Sequence, residues 1–537
     1  MTALDEIQQV GLREWVHNKS GLWLPESITS LRTEQEDVVE WALSRSEQYL
    51  LVNAPTGVGK TLVNLVYGLA KGTPVTYAVH TIRLQQQVES TLPGMPVLTG
   101  RSNHPCLIGR RTHGMDITAQ YGVCTMRQPC EFRSGVQVDG EFVQCAYYSQ
   151  LDEALTSRLG RVTNYAMYLA LPPVRMAVDD STGTHVLLAD EAHNIERALC
   201  SAAEISITTG MVRAAGYGWP RTAASHIAPW RGWGFGALKK TAEEDVRPAI
   251  REFRAAAKAM AAIKKEDYAN WVVSFDGSDF RATPTWGRGY TEQRLLNRSV
   301  EGFVGGIGAN LLATSATLTG ANYFSELLGL PEGEWAYLDV DSPFGASKRP
   351  VLFSPVMVMN RDVQSEEDRR PMQSAIDTLI SRYVSKGFPW GVIHSVSKKY
   401  RDFLLTESRF RGIMVTESKD HEQRVADGRP SVLVSPSVTE GWDGVDNLCR
   451  FIIIPKVPFA DLSDAWTRRR MNEDARTYAQ QALVSIVQGA GRGMRHRDDF
   501  CDTWILDEAW ASLYRRYKDW LPKSFIESYH HNVPLGG

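Results

Sequence analysis

The chain has 537 residues, 43% hydrophobic and 23% charged, with a net charge of −3. That length predicts two to four domains with large cores, and the balanced charge excludes a whole-protein basic field, so any nucleic-acid surface has to be local. No apolar run approaches the ~20 residues that span a bilayer, and the opening MTALDEIQQVGLREWV is acidic and amphipathic rather than a signal peptide; the expectation is a cytoplasmic protein (nucleoid-associated if bacterial) that keeps its seven cysteines out of disulfides.

The first stretch that carries chemistry is NAPTGVGKTL, residues 53–62, set between the apolar runs YLLV and LVNLVYGLA. A strand entering a glycine loop that opens a helix is a phosphate-binding arrangement. Gly57 and Gly59 let backbone N–H groups close around phosphate oxygens, Lys60 neutralises phosphate charge, and the Thr61 hydroxyl can ligate Mg²⁺. The general pattern G-x-x-x-x-G-K-[ST] is missed by one residue, because its first glycine is Ala54. Next along the chain, Cys106, Cys124, Cys130 and Cys145 cluster with spacing C-x17-C-x5-C-x14-C. Four thiols so close together in a reducing compartment imply a metal or cluster, and a Cys₄ set without paired C-x-x-C knuckles suits either zinc or iron–sulfur. Cys200, Cys449 and Cys501 are scattered and read as ordinary buried thiols.

HVLLADEAH, residues 185–193, supplies the carboxylate partner of the glycine loop: Asp190 to hold Mg²⁺ and Glu191 to polarise the attacking water. His193 has two readings, a γ-phosphate sensor or a helix cap. Residues 236–270 read as a long, charged, alanine-rich helix within an inserted helical module at about 205–300, whose Trp230, Arg231 and Trp233 serve either base stacking or the module's own core. Further β-rich runs follow at 310–318, 391–397, 431–441, 451–459 and 502–508, mostly separated by helical patterns, which predicts parallel sheets with ligands at the carboxyl ends of the strands. Finally, TYAQQALVSIVQGAGRGMRHRDD, residues 477–499, places Gln488, Arg492 and Arg495 within one helical arc, while its glycines oppose a stable helix. Two guanidinium groups there suit the charge of a transferring phosphoryl group. They lie more than 400 residues from Lys60, in a second α/β domain, so the site is split and can open and close with the nucleotide.

These motifs, in this order, resemble the superfamily 2 DNA helicases of the XPD/DinG type. Arg32-Thr33-Glu34-Gln35 is similar to the adenine-reading element, Ala54–Thr61 to motif I, His80-Thr81 to motif Ia, Asp190–His193 to the DEAH box and Thr314–Thr317 to motif III. Ser395 falls in motif IV, Glu440-Gly441-Trp442-Asp443 matches motif V, and Gln488–Arg495 matches motif VI; smaller echoes are Thr163-Asn164-Tyr165 and Ser342-Pro343-Phe344. The resemblance implies two RecA-like parallel-sheet motor domains, with an iron–sulfur domain and a small helical arch inserted into the first. The corresponding division is 1–101, 151–204 and 301–335 for the first motor domain, 102–150 for the cluster domain, 205–300 for the arch and 336–537 for the second motor domain. It implies ATP and Mg²⁺ bound by Gln35, Ala54, Thr56, Gly57, Gly59, Lys60, Thr61, Asp190 and Asp443, with Lys60, Asp190, Glu191, Gln488, Arg492 and Arg495 acting in catalysis. It also resolves the cysteines as ligands of a [4Fe–4S] cluster, and marks Thr81, Ser395 and Thr439 as DNA-backbone contacts. The implied activity is ATP-dependent, 5′→3′ translocation of a monomer on single-stranded DNA that unwinds forked duplexes. Two alternatives remain: a translocase that strips proteins or RNA from DNA, and a nucleotide-switched DNA-binding scaffold.

Overall fold

The computed structural model describes residues 2–72, 75–109, 117–122, 124, 129–157, 159–170, 184–220, 224–241, 247–296, 308–360, 363, 365–436, 444 and 446–535. Apolar runs without alternation make its framework: YLLVN, VTYAV and FIII are buried at every position, as strands covered on both faces must be. Ahead of them, helices Ala3–Val10 and Leu12–Ser20 break at Gly11 and press Leu12, Trp15 and Val16 into the core of the first domain.

In chain order, β1 is Tyr49–Asn53, β2 Val75–Val79 and β3 Val97–Leu98. A hairpin follows, β4 Val136–Val138 with β5 Glu141–Val143, then β6 Gly160–Asn164 and β7 Thr184–Asp190. Strands β8 Ile205–Thr208, β9 Trp271–Phe275 and β10 Asp279–Pro284 form a separate antiparallel sheet, and β11 Gly308–Ser315 and β12 Trp335–Asp339 return to the first. The first sheet has the order β12-β1-β11-β7-β2-β6-β3, with every pairing parallel. Its register sets Asn53 opposite Ser315 and Thr314 opposite Asp190, so the glycine loop, Asp190 and the Thr-Ser-Ala-Thr segment emerge from one end of the sheet.

The second domain repeats the plan with β13 Val351–Met357, β14 Trp390–His394, β15 Met414–Val415, β16 Ser431–Ser435, β17 Phe451–Ile454, β18 Asp502–Asp507 and β19 Tyr529–His530. Its order is β15-β16-β14-β17-β18-β13-β19, again parallel throughout. The sequence reading ends the first domain at residue 335, yet β12 runs on to Asp339 alongside β1. Among the described residues, no helix is long and apolar enough to cross a membrane.

Two expectations for the insertion need correcting. The alanine-rich stretch forms two helices, Ile227–Lys240 and Pro248–Ala262, the second opening on a proline that fits only a first turn. The module is also only partly helical, because β8, β9 and β10 build its other half. Its tryptophans form its core: Trp230 is buried, donates to the Ala224 carbonyl and packs against Trp219, Trp233, Phe275 and Phe280. A buried ring cannot stack on a base, so the structure favours the core reading of Trp230.

The second domain is latched to this region by helix Ala465–Glu473. Arg470 pairs with Glu196 at 2.8 Å, both side chains nearly inaccessible, beneath the rings of Trp286 and Trp466. Glu196 also accepts from the Gly287 N–H, and Trp466 donates to the Pro284 carbonyl. Removing one member of a buried pair strands the other without water. Glu196→Ala is therefore expected to lower unfolding stability by about 3 kcal/mol. Glu326→Ala, which breaks the exposed contact to Arg476, should cost less than about 1 kcal/mol. Denaturant melts of the two variants side by side check this.

Candidate active site

The cleft lies between the carboxyl ends of the two sheets and has a volume of about 970 Å³. The glycine loop forms one wall. Gly57 and Gly59 both take positive φ, +86° and +84°, and a Cβ on either would strike a neighbouring side chain, Phe344 over Gly57 and Gln35 over Gly59. Glycine here answers both the backbone and the packing. Lys60 opens helix Lys60–Ala70, and its ammonium donates to the Ala54 carbonyl at 3.5 Å, across the mouth of the loop.

Behind the loop sits a buried polar layer. Asp190, at the end of β7, accepts from the Tyr77 hydroxyl at 2.9 Å and from the Glu191 N–H at 2.9 Å. Asn64 donates to Tyr77 and to Thr314, and Thr61 hydrogen-bonds Tyr77 as well. Burial first, and the neighbouring Glu191 second, push the Asp190 carboxyl above its usual range, with Lys60 opposing them. A cation next to Asp190 would relieve the cost of its charge, which is what a Mg²⁺-holding carboxylate requires. Glu191 has a left-handed φ of +51°, rare for a residue with a Cβ, at the turn where its carboxylate joins the cleft wall.

His193 joins the two domains. The Gln488 amide donates to its Nε2 at 2.7 Å, as does the Asn194 amide at 3.0 Å. Two donors facing Nε2 leave the ring proton on Nδ1, which reaches Ser315 Oγ at 2.8 Å and Thr317 Oγ1 at 3.1 Å; Glu191 Oε2 lies 3.5 Å away. The histidine is thus neither a helix cap nor a group aimed at phosphate alone. Its neighbours, Gln488 and the Thr-Ser-Ala-Thr segment, were both legible in the sequence, but nothing in the spacing of the chain announces that they meet on this ring.

Helix Ala475–Ala490 carries Gln488 and stops before Gly491. Arg492 and Arg495 lie on the turn beyond it, so the helical arc expected for all three does not extend to the arginines; glycines 489, 491 and 493 end it. Both arginines still line the cleft, and the Thr56 hydroxyl donates across the gap to the Gly491 carbonyl at 3.5 Å.

Other expected residues are placed differently. The Gln35 amide donates to the Val58 carbonyl at 2.8 Å, beside Arg32 on the same carbonyl, so in this state it braces the loop from behind. Thr81 is exposed at the start of helix Ile82–Thr91 and caps the Leu84 N–H. Ser395 is fully buried, its hydroxyl donating to the Ser397 carbonyl, and presents no group to a strand. Thr439 and Asp443 lie outside the described residues. Phe344, over Gly57, and Arg83 line the cleft without having been assigned a role in the sequence.

Residues 392–528 match the helicase C-terminal domain family. An XPD helicase structure superposes over 91% of this chain and 98% of its own with a TM-score of 0.59 at 19% identity. A structure of XPD in its apo form covers 91% and 98% with a TM-score of 0.53 at 16% identity. Xpd4 of S. tokodaii covers 90% and 97% with a TM-score of 0.51 at 14% identity. No curated protein matches the sequence. The chain has the XPD helicase fold.

Within that fold the four clustered thiols converge. A Cβ built on Gly122 would lie 3.0 Å from Cys106 Sγ and 3.6 Å from Cys124 Sγ. Burial raises the Cys130 thiol, and Cys124, Cys145 and Cys106 together push it further, since thiolates at close range repel. Cys449 and Cys501, expected as scattered thiols, are in fact buried side by side, Sγ to Sγ 3.8 Å.

A shared bridge implies coupled losses. His193→Ala and Gln488→Ala should each cut ATP hydrolysis about tenfold or more, and the double variant little further. A double-mutant cycle on the turnover number checks this; additive losses would mean that the two side chains act separately.

Proposed function

We propose that this protein is an ATP-dependent DNA helicase that translocates 5′→3′ on single-stranded DNA and separates duplexes ahead of it. The observation that carries the reading is the division of the cleft: the glycine loop, Asp190 and Glu191 on one sheet, Gln488, Arg492 and Arg495 on the other, with His193 between them. In this reading Lys60 and the loop amides hold the phosphates, Thr61 and Asp190 hold Mg²⁺, and Glu191 orients the attacking water. Arg492 and Arg495 approach the γ-phosphate when the second domain closes, so stabilisation of the transferring group is tied to a domain movement. A metabolic kinase needs no such movement; a motor does.

Cys106, Cys124, Cys130 and Cys145, near enough that, besides burial, the other three raise the Cys130 thiol, would hold a [4Fe–4S] cluster, the ligand set that the motif resemblance implies. The group would brace a loop-rich segment with little core of its own. The flanking residues contribute packing: Arg101 lies over the Tyr147 ring at 4.7 Å, and Phe132 is buried behind the cysteines. Preference for forked substrates and action as a monomer belong to the same proposal.

Single-turnover unwinding of duplexes with a 5′ or a 3′ single-stranded tail tests the reading, expected to proceed only from the 5′ tail. Lys60→Ala and Glu191→Gln should each lower hydrolysis by 10²-fold or more, about 3 kcal/mol of transition-state stabilisation, with Glu191→Gln keeping ATP binding. ATP hydrolysis and protein displacement without strand separation from either tail would favour the stripping translocase; function that survives Glu191→Gln would favour the scaffold. In a separate measurement, Cys124→Ser and Cys130→Ser should lose the iron and the brown colour and lose unwinding, while basal hydrolysis survives better. Cys449→Ser should keep all three.

A further inference from the structure

The second motor domain carries a cluster that the ATP site does not use. Asp446 stands just before β17, and His496 and Asp499 follow the arginine turn; one ligand atom from each falls within 4.8 Å of the other two. His496 Nε2 is 2.8 Å from Asp446 Oδ1, both at the surface. Asp499 is different, because its side chain is entirely buried. Its Oδ1 accepts from Arg450 Nη1 at 2.7 Å and from the Phe500 N–H at 2.9 Å. Its Oδ2, equally buried, accepts no hydrogen bond among the described residues.

A buried carboxylate oxygen left without a donor is costly, and Arg450 does not remove the cost. That guanidinium is already committed to Asn447, to the Phe500 carbonyl and to the Phe500 ring at 4.5 Å, and it stays 3.9 Å from Asp446. Two carboxylates face one guanidinium, and the His496 imidazole adds a nitrogen ligand at the solvent side. One nitrogen and two carboxylates, with solvent free to complete the shell, is a donor set for a first-row divalent ion that accepts imidazole, zinc before magnesium or calcium.

We infer that Asp446, His496 and Asp499 form a binding site for a divalent transition-metal ion, zinc or a close relative, in the second motor domain. Its position gives it a consequence. Asp446 follows the E-G-W-D segment, and His496 is the residue after Arg495. An ion held there fastens the chain leaving the arginine turn to the chain entering β17, and so steadies the turn that presents Arg492 and Arg495 to the cleft.

The test is equilibrium dialysis of the full, iron-loaded chain against cobalt(II) as a zinc surrogate, without nucleotide, with bound cobalt counted by elemental analysis. His496→Ala and Asp446→Asn remove exposed ligands and leave the buried Arg450–Asp499 pair intact, so they should fold; unchanged iron content and a far-ultraviolet spectrum like that of the parent check this. The parent should bind one more cobalt than either variant, at least tenfold more tightly at that site, and gain thermal stability that both variants lose. Absorption differences between parent and variants should lack the intense near-ultraviolet bands of sulfur ligation. Equal cobalt binding by all three proteins, or an extra site marked by sulfur bands, would overturn the inference.

Discussion

A hydrogen bond from the Gln488 amide to His193 Nε2 ties the two halves of this molecule together at the point where chemistry is expected. A neutral bond of this kind contributes about 1 kcal/mol net. That is enough to bias an arrangement of domains and too little to lock one. The ring passes the contact on through Nδ1 to Ser315 and Thr317, and these lie on the segment leaving β11, the strand between β1 and β7. A shift of the second domain is thus felt beside Glu191 without any long chain of intermediaries.

The bridge depends on a rigid foundation. Asp190, Tyr77, Asn64 and Thr314 form a closed set of hydrogen bonds inside the first sheet, and Asn53 fastens the glycine-loop strand by donating to Asp339 and accepting from the Leu318 N–H. Buried polar groups linked in this way fix geometry as well as stability, even though Asn64 Oδ1 accepts no hydrogen bond among the described residues. On the other side, Arg470 pairs with Glu196 and Arg476 with Glu326 to hold the second domain against the first, and Trp520 stacks on Tyr323 with ring centres 4.9 Å apart. The cleft between the domains is held at its margins and lightly bridged at its centre.

Much of this was legible in the sequence because the strands are covered on both faces. Runs such as HVLLAD, NLLATS and FIIIP are too apolar to be anything else, and the residues that follow them carry the chemistry. Strands β6, β12 and β13 carry no clear signal, since GRVTN, WAYLD and VLFSPVM mix polar or breaking residues into short segments whose burial depends on neighbours far along the chain. The helical arc drawn through Gln488, Arg492 and Arg495 was half right: the periodicity was real for Gln488, and the glycines that weakened it mark the true helix end. The three-stranded sheet in the insertion is hidden because ISIT and DFRATP are short and mix polar with apolar residues, and because β8 lies far along the chain from β9 and β10. The pairing of Cys449 with Cys501 and the meeting of Asp446, His496 and Asp499 depend on β17 and β18 lying side by side, which no local pattern reveals.

The claim at the centre is that nucleotide draws the two sheets together through groups contributed by both. Fluorescent labels at exposed Glu89 in the first domain and Arg429 in the second, read by single-molecule energy transfer, measure it directly. A non-hydrolysable ATP analogue should collect the molecules into one narrow distance distribution, ADP should release them, and Gln488→Ala or Arg492→Ala should blunt the response. An identical distribution with no nucleotide, ADP and the ATP analogue would contradict the account.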